Sequence, residues 1–194
     1  MKDLIPCARK TRRRTLFGVP SSILRQLSVQ NVHIRFAKAT DVGAITRILN
    51  QVIREQAYIG ITDEVSEAER VAWLAEHPAD RYPVLVAESE GEGIGWLSLS
   101  PYRKGRPALD RTAEVSYFIE AGWRGRGVGS LLLDRGIHHA RETGRSVLIA
   151  ILMHTNTGSI RLLEKHGFTR WAHLPGVGEL QGHILDQYYY GLSL

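Results

Sequence analysis

Arg124, Gly125, Arg126, Gly127, Val128, Gly129 and Ser130 form the stretch of this chain best suited to chemistry, and that chemistry is anion binding. Glycines at 125, 127 and 129 leave backbone N–H groups unshielded. A helix predicted to begin near Gly127 would bring the positive end of its dipole, about half an elementary charge, to the same place. Arg124 and Arg126 flank the loop as charge partners for a pyrophosphate. The pattern reads R-x-x-G-x-G. A dinucleotide fingerprint requires G-x-G-x-x-G, but here the third glycine comes one residue early, and Glu142 falls at the end of the helix rather than after a second strand. A P-loop requires a lysine before the hydroxyl, and Gly129 precedes Ser130. A shorter pyrophosphate cradle and an ordinary glycine-rich turn are the readings left.

Glu114 is the single acid in the apolar run Thr112–Ile119, upstream of the loop. A carboxylate partly desolvated by such neighbours has a raised pKa and becomes a better base. The competing role is a salt bridge to Arg111 or Arg103 that holds the strand end. Asn156 and Ser159 open a further apolar-periodic segment, where Asn serves equally as an N-cap or as a ligand contact. His138 and His139 beside Glu142 lack the i, i+4 histidine pair of a metal helix, so they are read as a solvated helix face. Tyr188, Tyr189 and Tyr190 alternate in a strand, as core plus dimer surface rather than a platform for bases.

Periodicity supplies the elements that position these groups. His33–Ala37 alternates as a strand, and Thr40-Asp41 is expected to cap a helix with Val42, Ile45, Ile48, Leu49 and Val52 at helical spacing. Ser66 and Glu69 form a capping box that opens a second helix through Val71, Trp73 and Leu74. Strands are expected at Val84–Glu88 and Gly95–Leu99, with a turn at residues 90–93, and at Ala113–Ile119. A long helix follows the glycine loop. Residues 146–152 read as a strand covered on both faces, and a helix Thr157–His166 stops at Gly167. Strands at Thr169–Leu174 and His183–Tyr190 complete a mixed sheet.

This order, with R-x-x-G-x-G at Arg124–Gly129 and N-x-x-S…E-K-x-G-F at Asn156–Phe168, resembles the GNAT superfamily of acetyl-coenzyme A dependent N-acetyltransferases. Tyr82-Pro-Val-Leu-Val-Ala-Glu88, Pro101-Tyr-Arg103, Arg106-Pro-Ala and Thr112-Ala-Glu114 narrow it to the phosphinothricin and methionine sulfone type. The likeness runs from about His33 to Tyr190. It implies an α/β (α+β) fold: one GNAT-like domain, with a mixed, mostly antiparallel twisted sheet flanked by helices. It also implies acetyl-CoA as cosubstrate without a metal, and a small amino-acid-like primary amine as substrate.

The resemblance assigns roles residue by residue. The loop Arg124–Ser130 would hold the pyrophosphate, and the backbone of Tyr117, Phe118 and Ile119 would pair with the pantetheine arm, with Asn156 and Ser159 as polar contacts. Glu114 would be the general base. Arg103 and Arg106 are candidates for the substrate's carboxylate, phosphinate or sulfone oxygens. A departure stands at Leu163, where many members carry the Tyr or His that protonates the leaving thiolate; Tyr117 or water would have to substitute. Two other functions share the frame: acetylation of protein amines, and coenzyme A binding without catalysis. Retention of both Glu114 and the whole glycine loop argues against the second.

Charge separates the chain into two parts. Residues 1–30 hold seven basic side chains and one acid, a net of +6, against +5 for the whole chain, so residues 31–194 sum to −1. The first thirty residues are expected to be a disordered basic extension, with an anion-binding arm or a targeting segment as the other readings. The rest is one globular domain. With charge confined to the extension and no basic groove elsewhere, nucleic acid is not an expected partner. No apolar run nears the roughly twenty residues that cross a bilayer, so no membrane is expected either. Cys7 is the sole cysteine, which excludes an intrachain disulfide, a cysteine nucleophile in the domain and a zinc cluster, and fits a reducing cytoplasm. A homodimer is the expected assembly.

Overall fold

Side-chain alternation along the central strands divides the apolar residues between two cores. The computed structural model describes residues 31–55 and 59–194. Seven strands form one sheet: β1 (His33–Phe36), β2 (Val84–Ser89), β3 (Glu92–Pro101), β4 (Thr112–Ile119), β5 (Val147–Met153), β6 (Thr169–Leu180) and β7 (His183–Ser193), in the order β1-β2-β3-β4-β5-β7-β6. Every neighbouring pair is antiparallel except β4 with β5. Four helices cover the faces: α1 (Val42–Glu55), α2 (Glu67–Ala75), α3 (Val128–Glu142) and α4 (Thr157–Lys165). Mixed pairing and flanking helices match the expected architecture.

Leu85, Leu97, Leu99, Ala113 and Val115 point to the face that α3 and α4 cover, where Leu132, Leu133 and Leu163 meet them. Val84, Val86 and Trp96 point the other way, against Ile45, Ile48, Leu49 and Ile53 of α1, with Trp73 of α2 packed alongside. The period of two in the strands and the helical spacing in α1 are therefore the same fact seen from both sides of one interface. Glu90 and Gly91 turn the β2–β3 hairpin with φ of 52° and 82°, the left-handed pair that a two-residue turn requires.

The capping box of α2 forms as expected: Ser66 Oγ accepts from the Glu69 N–H at 3.3 Å, and Glu69 Oε2 accepts from the Ser66 N–H at 2.7 Å. Two local expectations fail. Thr40-Asp41 does not cap α1; Ala39–Asp41 is a 3-10 turn, and Asp41, 7% exposed, accepts two hydrogen bonds from Arg35 (2.7 and 2.8 Å) and one from the Lys38 N–H. Burial alone would raise the Asp41 pKa; these donors more than offset it and hold the carboxyl below its ordinary range. His139 is not on a solvated face either. It is 6% exposed and packs edge-on to Phe36 at 5.6 Å, because β1 lies against α3, while His138 stays outside near Glu142. The expectations for residues 1–30 lie outside the described residues. Among the described residues no helix is long and apolar enough to cross a membrane.

Candidate active site

β4 and β5 run side by side for only three residues. β4 pairs with β3 along Ala113–Ile119, yet with β5 only at Thr112–Glu114, opposite Val147–Ile149. Beyond that each strand keeps its outer partner, β5 pairing with β7 as far as Met153, so the two part. A cleft of about 930 Å³ occupies the opening, walled by Tyr117 and Ile119 of β4, Ala150 and Leu152 of β5, and Ser159 and Leu163 of α4. The backbone edge of residues 115–119 that turns away from β3 has no strand partner. It presents a row of donors and acceptors to the cleft.

The glycine loop closes one end. Gly125 and Gly127 take φ of 72° and 99°, and Gly127 begins α3 with no side chain capping the exposed N–H groups. α4 starts beside it in the opposite condition: Asn156 Oδ1 accepts the Ser159 N–H at 3.1 Å. Of the two helix starts lining the cleft, one is satisfied internally and the other is left for an anion, which fits a diphosphate on residues 124–130.

The basic residues of the site divide in the same way. Arg126 stacks on Trp123 at 5.2 Å, whereas Arg124 turns to Glu55 of α1 at 2.7 Å and donates to the Ile119 carbonyl at 3.0 Å. Two further cations line the cleft, Arg161 and Lys165 of α4, with Lys165 Nζ 3.1 Å from Ser130 Oγ. Sequence reasoning missed this pair. Their i, i+4 spacing, which places both on one face of α4, was the available signal.

Glu114 belongs to the other face of the sheet. Register aligns three cross-strand pairs there, Trp96 with Phe118, Ser98 with Ser116, and Ser100 with Glu114. The cleft lining begins one residue further along, at Val115, so Glu114 borders it rather than walling it. Neither competing salt bridge forms: Arg111 donates to Ser146 Oγ at 2.7 Å, and Arg103 lies over the Tyr102 ring at 5.0 Å. Burial raises the Glu114 pKa, and the charge of Arg103 lowers it only in part. Arg103 and Arg106 sit in the exposed loop after β3, outside the cleft lining.

Sequence reasoning also missed what stands beside Glu114. His77 Nδ1 is 2.7 Å from the Trp73 carbonyl, which can only accept, so that nitrogen carries the proton and Nε2 accepts from Ser100 Oγ at 3.0 Å. Burial keeps this imidazole below its ordinary pKa and hence neutral. Among the described residues no three His, Cys, Asp or Glu side chains converge as a metal site.

A cleft between parting strands, an uncapped glycine-lined helix start and a desolvated carboxylate together suit acyl transfer from a phosphate-bearing thioester. The family model described as acetyltransferase (GNAT) matches residues 47–168. The L-methionine sulfoximine/L-methionine sulfone acetyltransferase of Salmonella typhimurium is 36% identical over 161 residues, 83% of this chain and 94% of that one. The L-amino acid N-acyltransferase MnaT of Escherichia coli is 34% identical, covering 83% and 93%. A GNAT superfamily phosphinothricin acetyltransferase from Sinorhizobium meliloti, solved in complex with AcCoA, superposes with a TM-score of 0.81 at 26% identity, over 85% of this chain and 89% of that one. The chain belongs to the GNAT family of acetyl-CoA-dependent N-acetyltransferases.

Proposed function

We propose that the chain acetylates the primary amine of a small, amino-acid-like substrate of the phosphinothricin or methionine sulfone type. The observation that carries it is the uncapped start of α3 opening onto the gap between β4 and β5. Acetyl-CoA supplies an acetyl thioester, a carbonyl carbon open to attack by a neutral amine. The backbone N–H groups of residues 124–130 hold its diphosphate, with Arg126, Arg161 and Lys165 adding positive charge. The free edge of Tyr117–Ile119 orders the pantetheine arm as a sheet orders a strand, and Asn156 and Ser159 contact it from α4.

Glu114 takes the proton that the amine must lose. Its raised pKa makes it a stronger base than an exposed carboxylate, and Ser100, held by the neutral His77, stands across the strand pair from it. The α-amine of an amino acid is a weaker base than a lysine side chain, whose deprotonation at pH 7 costs about 4 to 5 kcal/mol, which supports a small α-amine over a protein lysine. Arg103, close enough to act on Glu114, and Arg106 on the same loop are the partners for a substrate carboxylate or an oxidised phosphorus or sulfur group. Residues 31–194 form the catalytic domain and residues 1–30 an extension to it. The enzyme works in the cytoplasm as a homodimer. Trp171, Val177 and Ile184, exposed on the β6–β7 hairpin, support that pairing.

A panel of amino acids and analogues, assayed with acetyl-CoA by release of free thiol, tests the proposal. Turnover should concentrate on methionine sulfone, methionine sulfoximine and phosphinothricin. Turnover confined to peptide or protein lysines would overturn it.

A further inference from the structure

When the acyl carbon passes to the amine, an electron pair leaves with sulfur, and the resemblance's usual donor position on α4 is apolar here. Leu163, 1% exposed, has no polar side-chain atom. Among the described residues lining the cleft there is no histidine, cysteine, aspartate or glutamate, and there is one phenol, Tyr117. We propose that the Tyr117 hydroxyl is the hydrogen-bond donor that stabilises the departing coenzyme A thiolate. The proposal rests on the acetyl-transfer reading above and assigns the residue that handles the leaving group.

Three observations carry it. First, alternation along β4 sends Glu114 and Tyr117 to opposite faces, Glu114 in line with Ser100 and Tyr117 toward the α3–α4 core. The gap between the strands is therefore served by a base from one side and a donor from the other. Second, the hydroxyl is held by Ser159 alone, one turn before Leu163 on α4: its bond to the carbonyl is long, 3.4 Å, and the Ser159 side chain lies against it. A donor at that distance re-aims at small cost toward a stronger acceptor, and a sulfur anion is one. Third, three of the four charged donors that line the cleft are engaged at the glycine loop: Arg124 is paired with Glu55, Arg126 lies on Trp123, and Lys165 reaches Ser130.

The electron and proton balance is simple. The N–C bond forms, the C–S bond breaks with its pair going to sulfur, and the amine proton goes to Glu114. Tyr117 keeps its own proton. Burial pushes its pKa up to about 12, well above a thiol near 8.5, so the phenol donates a hydrogen bond and does not surrender the proton. The thiolate is protonated by solvent after release.

Tyr117→Phe tests this. A hydrogen bond to a charged group accounts for about 10- to 100-fold, so kcat should fall by that factor, with the Kd for acetyl-CoA by calorimetry within about twofold and Tm nearly unchanged. A second readout needs no amine: binding of coenzyme A against desulfo-coenzyme A at pH 7 and at about pH 9.5, where the free thiol is ionised. In the wild type the preference for coenzyme A should grow with pH, and in Tyr117→Phe it should not. A variant that keeps its kcat, or one that loses kcat while the preference still grows with pH, would overturn the proposal. A wild type that binds coenzyme A but acetylates none of the amines sinks the proposed function instead, and the binding readout still decides the role of Tyr117.

Discussion

Glu114 occupies a strand whose other residues are apolar or hydroxyl-bearing, and its raised pKa has two consequences of opposite sign. As a base it is strengthened. As a buried charge it weakens the fold: an acid whose folded pKa is raised contributes stability below its unfolded value, about 4.3, and that contribution is lost as pH rises through the folded pKa. Glu114→Gln should therefore lower kcat by roughly 10² while leaving the acetyl-CoA Kd little changed, with a deficit that shrinks as pH rises and more amine arrives neutral. In the same samples Tm at pH 7 should exceed that of the wild type, and the difference should vanish near pH 4. A pH-independent kcat deficit would mean that Glu114 only orients the site. At this scale Glu114 and the Asn156 cap were legible because local sequence decides them. His77, Ser100 and the diversion of Arg124 to Glu55 were not, because each depends on a partner from 14 to 69 residues away.

The start of α3 does its work through backbone alone. Gly127 at φ 99° begins the helix with no side-chain cap, and a Cβ on Gly129 would stand 2.8 Å from Leu162 Cδ2, so the second glycine lets α3 and α4 approach. Gly127→Glu places a carboxylate at the proposed diphosphate site and asks a side-chain-bearing residue to adopt a strained φ. It should abolish measurable turnover and acetyl-CoA binding together; coenzyme affinity that survives in this variant would remove the loop from the site. Elements defined by their own residues were legible: the glycine loop, the α2 capping box and the β2–β3 turn. The α1 entry was misread because Asp41 answers to Arg35, a strand residue, rather than to the helix that follows it. β6 and β7 extend further than their alternation indicated, with the register broken between Leu174 and Gly178. Pairing with a neighbour sustains them there.

For the whole molecule, the layers were legible and the order of the sheet was not. Placing β7 between β5 and β6 rests on non-local pairing such as Ile151 with Tyr189, which no local pattern encodes. Charge is divided as unevenly as contact. The +6 of residues 1–30 sits beside a domain of −1, so deleting residues 1–30 should bring the pI from about 9.6 toward neutrality and leave Tm and kcat/KM close to those of the full chain. Loss of solubility or of activity on truncation would make the extension part of the fold.

The parting of β4 and β5 leaves the sheet one strand short at its centre, so a coenzyme held there as proposed would be a structural member of the domain as well as its reagent. Amides of residues 115–119 that turn away from β3 should exchange with deuterated solvent in the free protein and become protected on saturation. At 100 times its Kd a ligand of the native state stabilises by about 2.7 kcal/mol, and Tm should rise by about 5 to 10 °C. In a cell the same linkage would tie survival of the chain against proteolysis to the supply of coenzyme A. The enzyme's abundance would fall in starvation before any change in its synthesis.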